Sequence, residues 1–174
     1  ADIKFDDGSF VVSGTDRAVS LLEVAAYGRE KDKPLDTFHA WTREHMTFPN
    51  GCHVVEVEID PDTGRVTLVR YSGVDDYGVL VNPMVAMGQA HGAMAQGIGQ
   101  ALLECATYDN DSGQMLAASF MDYALPRADD LVSFDLGFNA TRCTTNPLGV
   151  KGCGEAGAIA AFPAIANAIL DALR

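Results

Sequence analysis

At 174 residues, with 48% hydrophobic and 21% charged, the chain has the size and apolar content of one soluble domain around a single core. A formal charge of −12 with no Lys/Arg cluster argues against nucleic acid or an anionic membrane as partner, because phosphate arrays must be met by clustered cations. No apolar run is long enough to span a bilayer and no signal peptide is recognisable. The scattered Cys52, Cys105, Cys143 and Cys153 form no C-x-x-C pair, so reduced thiols in a cytoplasmic protein are expected.

Ile3-Lys4-Phe5 and Ser9-Phe10-Val11-Val12, joined through Asp6-Asp7-Gly8, read as a hairpin. Ser20 with Glu23 makes a capping box that predicts a helix from Leu21 to Tyr27, followed by a charged loop closed by Pro34. The stretch from His39 to Gly51 has no period and ends in a Pro49-Asn50-Gly51 turn; His39 and His45 lack a carboxylate or cysteine at coordinating spacing. His53 to Asp60 alternates apolar and polar, Pro61 to Gly64 turns the chain, and Arg65 to Val74 returns as the second arm of a long antiparallel hairpin. Asp75 and Asp76 allow a paired-carboxylate metal site. Adjacent acids on an extended backbone point to opposite sides, however, which favours turn chemistry.

Asn82 as N-cap and Pro83 at the first helical position start a helix running to about Cys105. It carries Gly88, Gly92, Gly97 and Gly99, each costing up to about 1 kcal/mol against alanine. Two readings compete. Another backbone packs against Gly88, Gly92 and Gly99, or a ligand uses that space beside Gln89 and Gln96, which share a face. His91 reads as a hydrogen-bonded structural residue. Gln114 to Phe120 and Leu131 to Phe138 are predicted strands, and the apolar helix after Glu155 is expected to break after Phe162 at Pro163. With no linker of domain-boundary quality, the expectation is one α+β domain over 1–174, antiparallel hairpins packing against the glycine-bearing helix and the C-terminal helix.

No nucleophile elbow, phosphate-binding loop, dinucleotide fingerprint or H-E-x-x-H is present. The remaining candidate is the glycine-punctuated loop from Asn146 to Gly157, which delivers Glu155 to a helix start. Glu155 reads either as a general base or as an N-terminal carboxylate stabilising its helix by roughly 0.3–1 kcal/mol. Cys153 at the same terminus has the setting of a nucleophile but no identifiable histidine.

Five motifs occur in one order: Phe48-Pro49-Asn50-Gly51; Glu56 to Gly64; Asp75-Asp76-Tyr77-Gly78 with Asn82-Pro83; Gly88-Gln89, Gly92 and Gln96-Gly97-Ile98-Gly99; and Lys151-Gly152-Cys153-Gly154-Glu155. Each is weak alone. Together they resemble the molybdenum hydroxylases, the xanthine dehydrogenase and aldehyde oxidase family, and look closest to the large subunits of bacterial aerobic carbon monoxide dehydrogenases. The resemblance covers nearly the whole chain but only the C-terminal portion of the family's molybdopterin-binding subunit, which agrees with a chain that opens at Ala1 without an initiator Met.

The resemblance implies a molybdenum centre held by molybdopterin cytosine dinucleotide, with no protein side chain on the metal. Gln89 then hydrogen-bonds the cofactor, while Gly88, Gly92, Gln96, Lys151, Gly152, Cys153 and Gly154 line its site. Glu155 becomes the base in the hydroxylation of an aldehyde, an N-heterocycle or carbon monoxide with water-derived oxygen. Cys153 replaces a more usual small aliphatic residue and is expected to pack beside the cofactor. Implied partners are the remaining N-terminal part of the subunit and iron–sulfur and flavin domains or subunits. The isolated chain should be inactive and able to self-associate through apolar surface. The alternatives are a non-catalytic structural or subunit-contact module keeping the fold, and a free-standing cysteine enzyme with a reactive Cys153.

Overall fold

Asp7 and Gly8 both take positive φ, 41° and 75°, the geometry a tight hairpin turn demands. They join β1 (Ile3–Asp6) to β2 (Ser9–Val12), and β3 (Ala18–Ser20) pairs antiparallel with β2, giving the order β1-β2-β3. Three residues are too few for β3 to show a period in the sequence. The computed structural model describes residues 2–42 and 44–174, in two compact units, 1–42 and 43–174. The first unit ends beyond α1 (Leu21–Glu30), whose capping box is formed: Ser20 Oγ accepts from Glu23 N at 3.2 Å and the Glu23 carboxylate accepts from Ser20 N at 2.9 Å. The helix runs past the expected end at Tyr27 and absorbs the start of the charged run.

The second unit is built on β4 (Asn50–Ile59) and β5 (Val66–Asp76), antiparallel from Asn50↔Asp76 to Ile59↔Val66 with an irregularity between Glu56 and Val57. Asn50 and Gly51 are therefore strand rather than turn. Gly51 is needed because a Cβ there would collide with the Asp75 side chain. Next comes α2 (Pro83–Leu102), capped by the Asn82 side chain, which accepts from Val85 N at 3.1 Å. β6 (Phe134–Phe138) then lies parallel to β5, so the sheet is mixed, not purely antiparallel. A parallel neighbour requires a long crossover, and α2 lies within it.

α3 (Ala156–Ala172) packs on α2 and β4. It runs unbroken through Pro163, against the expectation of a break. The proline removes only the hydrogen bond to the carbonyl of Ile159, a residue that is exposed, so water can take the donor's place. The core joins Leu68, Tyr71 and Tyr77 to Ala86, Ala90, Met94 and Ile98 of α2 and Ala161 and Ile165 of α3. Met94, Ile98 and Ile165 are fully buried, each worth roughly 1.5–3 kcal/mol. The expected strand over Gln114–Phe120 does not form. Only Met115 bridges Tyr108, and without a neighbouring ladder the rest stays irregular.

Candidate functional site

α2 has two unlike faces. On one, Ala86, Ala90, Ala93, Met94 and Gly97 are buried, and α3 comes so close that a Cβ on Gly97 would stand 2.6 Å from Ala161 Cβ and 3.0 Å from the Ala158 carbonyl. Gly157 of α3 makes the reciprocal approach: a Cβ there would stand 2.9 Å from the Ala90 carbonyl and 3.0 Å from Met94 N. Gly99 is likewise enclosed, by Glu104 and Pro126. On the other face a Cβ at Gly88 or Gly92 would meet nothing within 4 Å. The packing reading thus fails for Gly88 and Gly92 and holds for Gly99 only as enclosure by side chains; the close backbone approach is at Gly97, which that reading did not include. Gln89 and Gln96 are exposed beside them, seven positions apart and so within about 20° around the helix. His91, expected as a hydrogen-bonded structural residue, is exposed and sets its ring edge-on to Phe134, with centroids 5.5 Å apart.

The glycine loop is fastened to the end of β5. Lys151 N donates to the Tyr77 carbonyl (2.9 Å), Val79 N to the Gly149 carbonyl (2.9 Å), and Gly78 bridges Val150. Asn146 braces the turn from within: its Oδ1 accepts from Gly149 N and Val150 N while its Nδ2 donates to the Val150 carbonyl. Asp76 binds the same loop through its side chain. Oδ2 meets Lys151 Nζ at 2.6 Å, and Oδ1 accepts from Gly78 N and Thr141 N, both at 2.9 Å. The Lys151 bond above all, then the Thr141 and Gly78 amides, hold the Asp76 carboxyl well below the usual carboxylate range.

Past Lys151 the chain is bare. A Cβ at Gly152 would meet nothing within 4 Å, Cys153 packs half-buried against the core, and a Cβ on Gly154 would lie 3.7 Å from Gln89 Oε1. Glu155 is the N-cap residue of α3, exposed and without a side-chain capping bond. It therefore offers its helix only the charge of a carboxylate at the N-terminus, without a capping hydrogen bond. Gln89, Gly154 and Glu155 are brought to one place, with Gly88, Gly92 and Gly152 leaving open space around it. The ammonium of Lys151 is turned to Asp76.

Sequence reading missed a buried polar chain in the second unit. His53 Nδ1 is 2.7 Å from the Tyr71 hydroxyl, His53 Nε2 is 3.1 Å from Asp75 Oδ1, and the Tyr77 hydroxyl donates to Asp75 Oδ2 at 2.7 Å. Asp75 is only 3% exposed. Burial works to raise its carboxyl, but the bonds from His53 and Tyr77 outweigh this and leave it lowered. Burial, then the bond to Asp75, drives the Tyr77 phenol upward. With neutral His53 every donor finds an acceptor: Tyr71 donates to Nδ1 and Nε2 donates to Asp75. The period-2 pattern carried a signal, since it puts His53 on the inward face with Val55 and Val57, but not its partners. Both ring nitrogens being engaged, His53 is no partner for a nucleophilic Cys153. Among the described residues no three His, Cys, Asp or Glu side chains converge as a metal-ligand set, and no helix is long and apolar enough to cross a membrane.

The family described as molybdopterin cofactor-binding domain matches residues 1–132. The chain is 41% identical over 99% of its length to the 6-hydroxypseudooxynicotine dehydrogenase complex subunit gamma of Paenarthrobacter nicotinovorans, and 30% identical over 98% to the carbon monoxide dehydrogenase large chain of Afipia carboxidovorans. It spans only 22% of the length of each. The crystal structure of quinoline 2-oxidoreductase from Pseudomonas putida 86 superposes with a TM-score of 0.78 at 34% identity, over 99% of this chain and 23% of that one. With the family match extending over most of the chain and the fold shared at this identity, the chain belongs to the molybdopterin cofactor-binding domains of the molybdenum hydroxylases.

Proposed function

We propose that this chain is the C-terminal, cofactor-contacting part of a molybdenum hydroxylase subunit, with Glu155 the general base. One observation carries the reading: Gly88, Gly92 and Gly152 are open to solvent, with the exposed amides of Gln89 and Gln96 and the uncapped carboxylate of Glu155 beside them. Bare backbone and exposed amides fit a polar pterin and its phosphates, which need donors and acceptors at close range. Molybdopterin cytosine dinucleotide is the proposed form. Gln89 hydrogen-bonds it, Gln96 adds a second amide, and Gly88, Gly92, Gly152 and Gly154 admit it. Cys153 packs alongside, and Lys151 contributes the loop backbone, its ammonium being held by Asp76.

When bound, the cofactor supplies a two-electron oxidation. Glu155 takes the proton from the water-derived oxygen that attacks an electron-poor carbon, and its exposed position leaves it accessible to substrate. Identity is higher to a relative named for a nicotine-derived compound than to the carbon monoxide dehydrogenase, which favours an N-heterocycle over an aldehyde or carbon monoxide. The residues completing the site, and the iron–sulfur and flavin domains that accept electrons, belong to the rest of a cytoplasmic complex. The chain alone is therefore inactive. Val81, Met84, Phe120, Met121 and Leu148 are exposed apolar side chains suited to burial in that assembly or to self-association without it. The complete complex carrying Glu155→Gln should keep its molybdenum and lose essentially all hydroxylation; near-normal turnover overturns the assignment.

A further inference from the structure

The loop that carries Glu155 is anchored at both ends, and between them only the Cys153 side chain packs on the core. At its far end Gly157 is seated on α2 so closely that a Cβ there would stand 2.9 Å from the Ala90 carbonyl, where no side chain would fit. At its near end Lys151 is fixed by its amide on the Tyr77 carbonyl and by its ammonium on Asp76. The intervening Gly152-Cys153-Gly154 has two glycines, which define no path of their own. The position of the carboxylate is thus set by the two anchors together with the packing of Cys153. The pair is well placed for this: the Lys151 and Asp76 side chains are 10% and 14% exposed. The remaining carboxylate oxygen holds the amides of Gly78 and Thr141, joining the end of β5, the 139–145 segment and the loop in one node.

We propose that Asp76 is a positioning residue for Glu155: by holding Lys151 it sets where the glycine tether begins and hence where the general base stands. This rests on the reading of Glu155 as base. It also assigns Lys151 a role distinct from that of an anion ligand, because an ammonium bonded to Asp76 at 2.6 Å and mostly covered is already neutralised.

The test uses the complete subunit complex carrying Asp76→Asn, Lys151→Met or both, beside Glu155→Gln. Molybdenum content and amide exchange across 152–156 are read first, since neither depends on a substrate. Turnover is then measured with quinoline, benzaldehyde or carbon monoxide, whichever the unaltered complex oxidises, and a dye as electron acceptor. Each single variant should keep its molybdenum and its KM, exchange the 152–156 amides at least about tenfold faster, and lose roughly 10–100-fold in kcat, the scale of a base displaced by about an ångström. The double variant should be no worse than either single one, because both remove the same contact. Wild-type exchange and kcat in Lys151→Met overturn the proposal, and that variant alone decides if Asp76→Asn does not fold. Loss of molybdenum in Lys151→Met but not in Asp76→Asn overturns it in favour of a lysine that binds the cofactor. Normal turnover in Glu155→Gln refutes the base itself. An inactive Glu155→Gln beside fully active Asp76→Asn and Lys151→Met refutes only the positioning role.

Discussion

The two glycine-bearing faces of α2 contain the same residue type on the same helix and answer for it differently. At Gly97 the cost of glycine is offset inside the chain, because α3 approaches to a distance no side chain permits and Gly157 returns the contact from the other side. At Gly88 and Gly92 no described residue would come within 4 Å of a side chain, so the roughly 1 kcal/mol that each forfeits against alanine is not offset by packing among the described residues. A helix that is weakened where nothing packs and tightened where something does is shaped for two different neighbours. One neighbour is α3, and in the proposed function the other is the cofactor.

The packed face should break hardest. Gly157→Val forces branched carbons into the Ala90 carbonyl and Met94 amide, and the two helices must part or bend, costing about 3 kcal/mol. Urea unfolding should show this as a lower midpoint at unchanged slope; a loss under about 1 kcal/mol would mean that the helix contact is not tight. Beneath it, Tyr77→Phe leaves one oxygen of the buried Asp75 without its donor. A cost of about 2 kcal/mol is expected, from the same unfolding curves.

These contacts were legible in the sequence only as far as they were local. Ser20 with Glu23 and Asn82 with Pro83 mark helix starts within a few residues, and the alternation of β4 and β5 shows which side chains face inward. His53 and Asp75 are 22 residues apart and Lys151 and Asp76 are 75 apart, so their meeting depends on strand register and loop path, which no local pattern encodes. β6 was visible as a strand but not as a parallel one, because orientation is decided by the crossover rather than by the strand's own residues. Over-reading local signals caused the plain errors, the Pro49-Asn50-Gly51 turn that is strand at Asn50 and Gly51 among them. Pro163 does not break α3 because the carbonyl it leaves without a donor belongs to exposed Ile159, and the apolar run over 114–120 finds no ladder to join. For the site, the order of motifs brought out Gln89 and Glu155. The openness of Gly88 and Gly92, as against Gly99, required the packed helices.

The open face should respond with the opposite sign. Gly88→Ala and Gly92→Ala introduce a methyl group into empty space on a helix and should each stabilise the chain by about 0.5–1 kcal/mol, seen as a raised melting temperature. In the complete subunit the same substitutions should lower the molybdenum content of the purified protein. Stabilisation with full metal loading would show that the face is open but not used.

The smallest effect separates Asp76 from the packed interior. Its carboxyl is lowered in the folded chain, chiefly by Lys151, relative to about 3.9 when unfolded. A depressed folded value means the contribution is complete above the unfolded value and disappears as the pH falls through the folded one. The stability difference between the unaltered chain and Lys151→Met should therefore be flat from about pH 5 to 8, at about 1 kcal/mol or less for a single pair near the surface, and should shrink only below about pH 4. Urea titrations at stepped pH measure it. A difference that varied between pH 5 and 8 would place the titrating partner of Lys151 somewhere other than Asp76, and with it the anchor of the loop that carries Glu155.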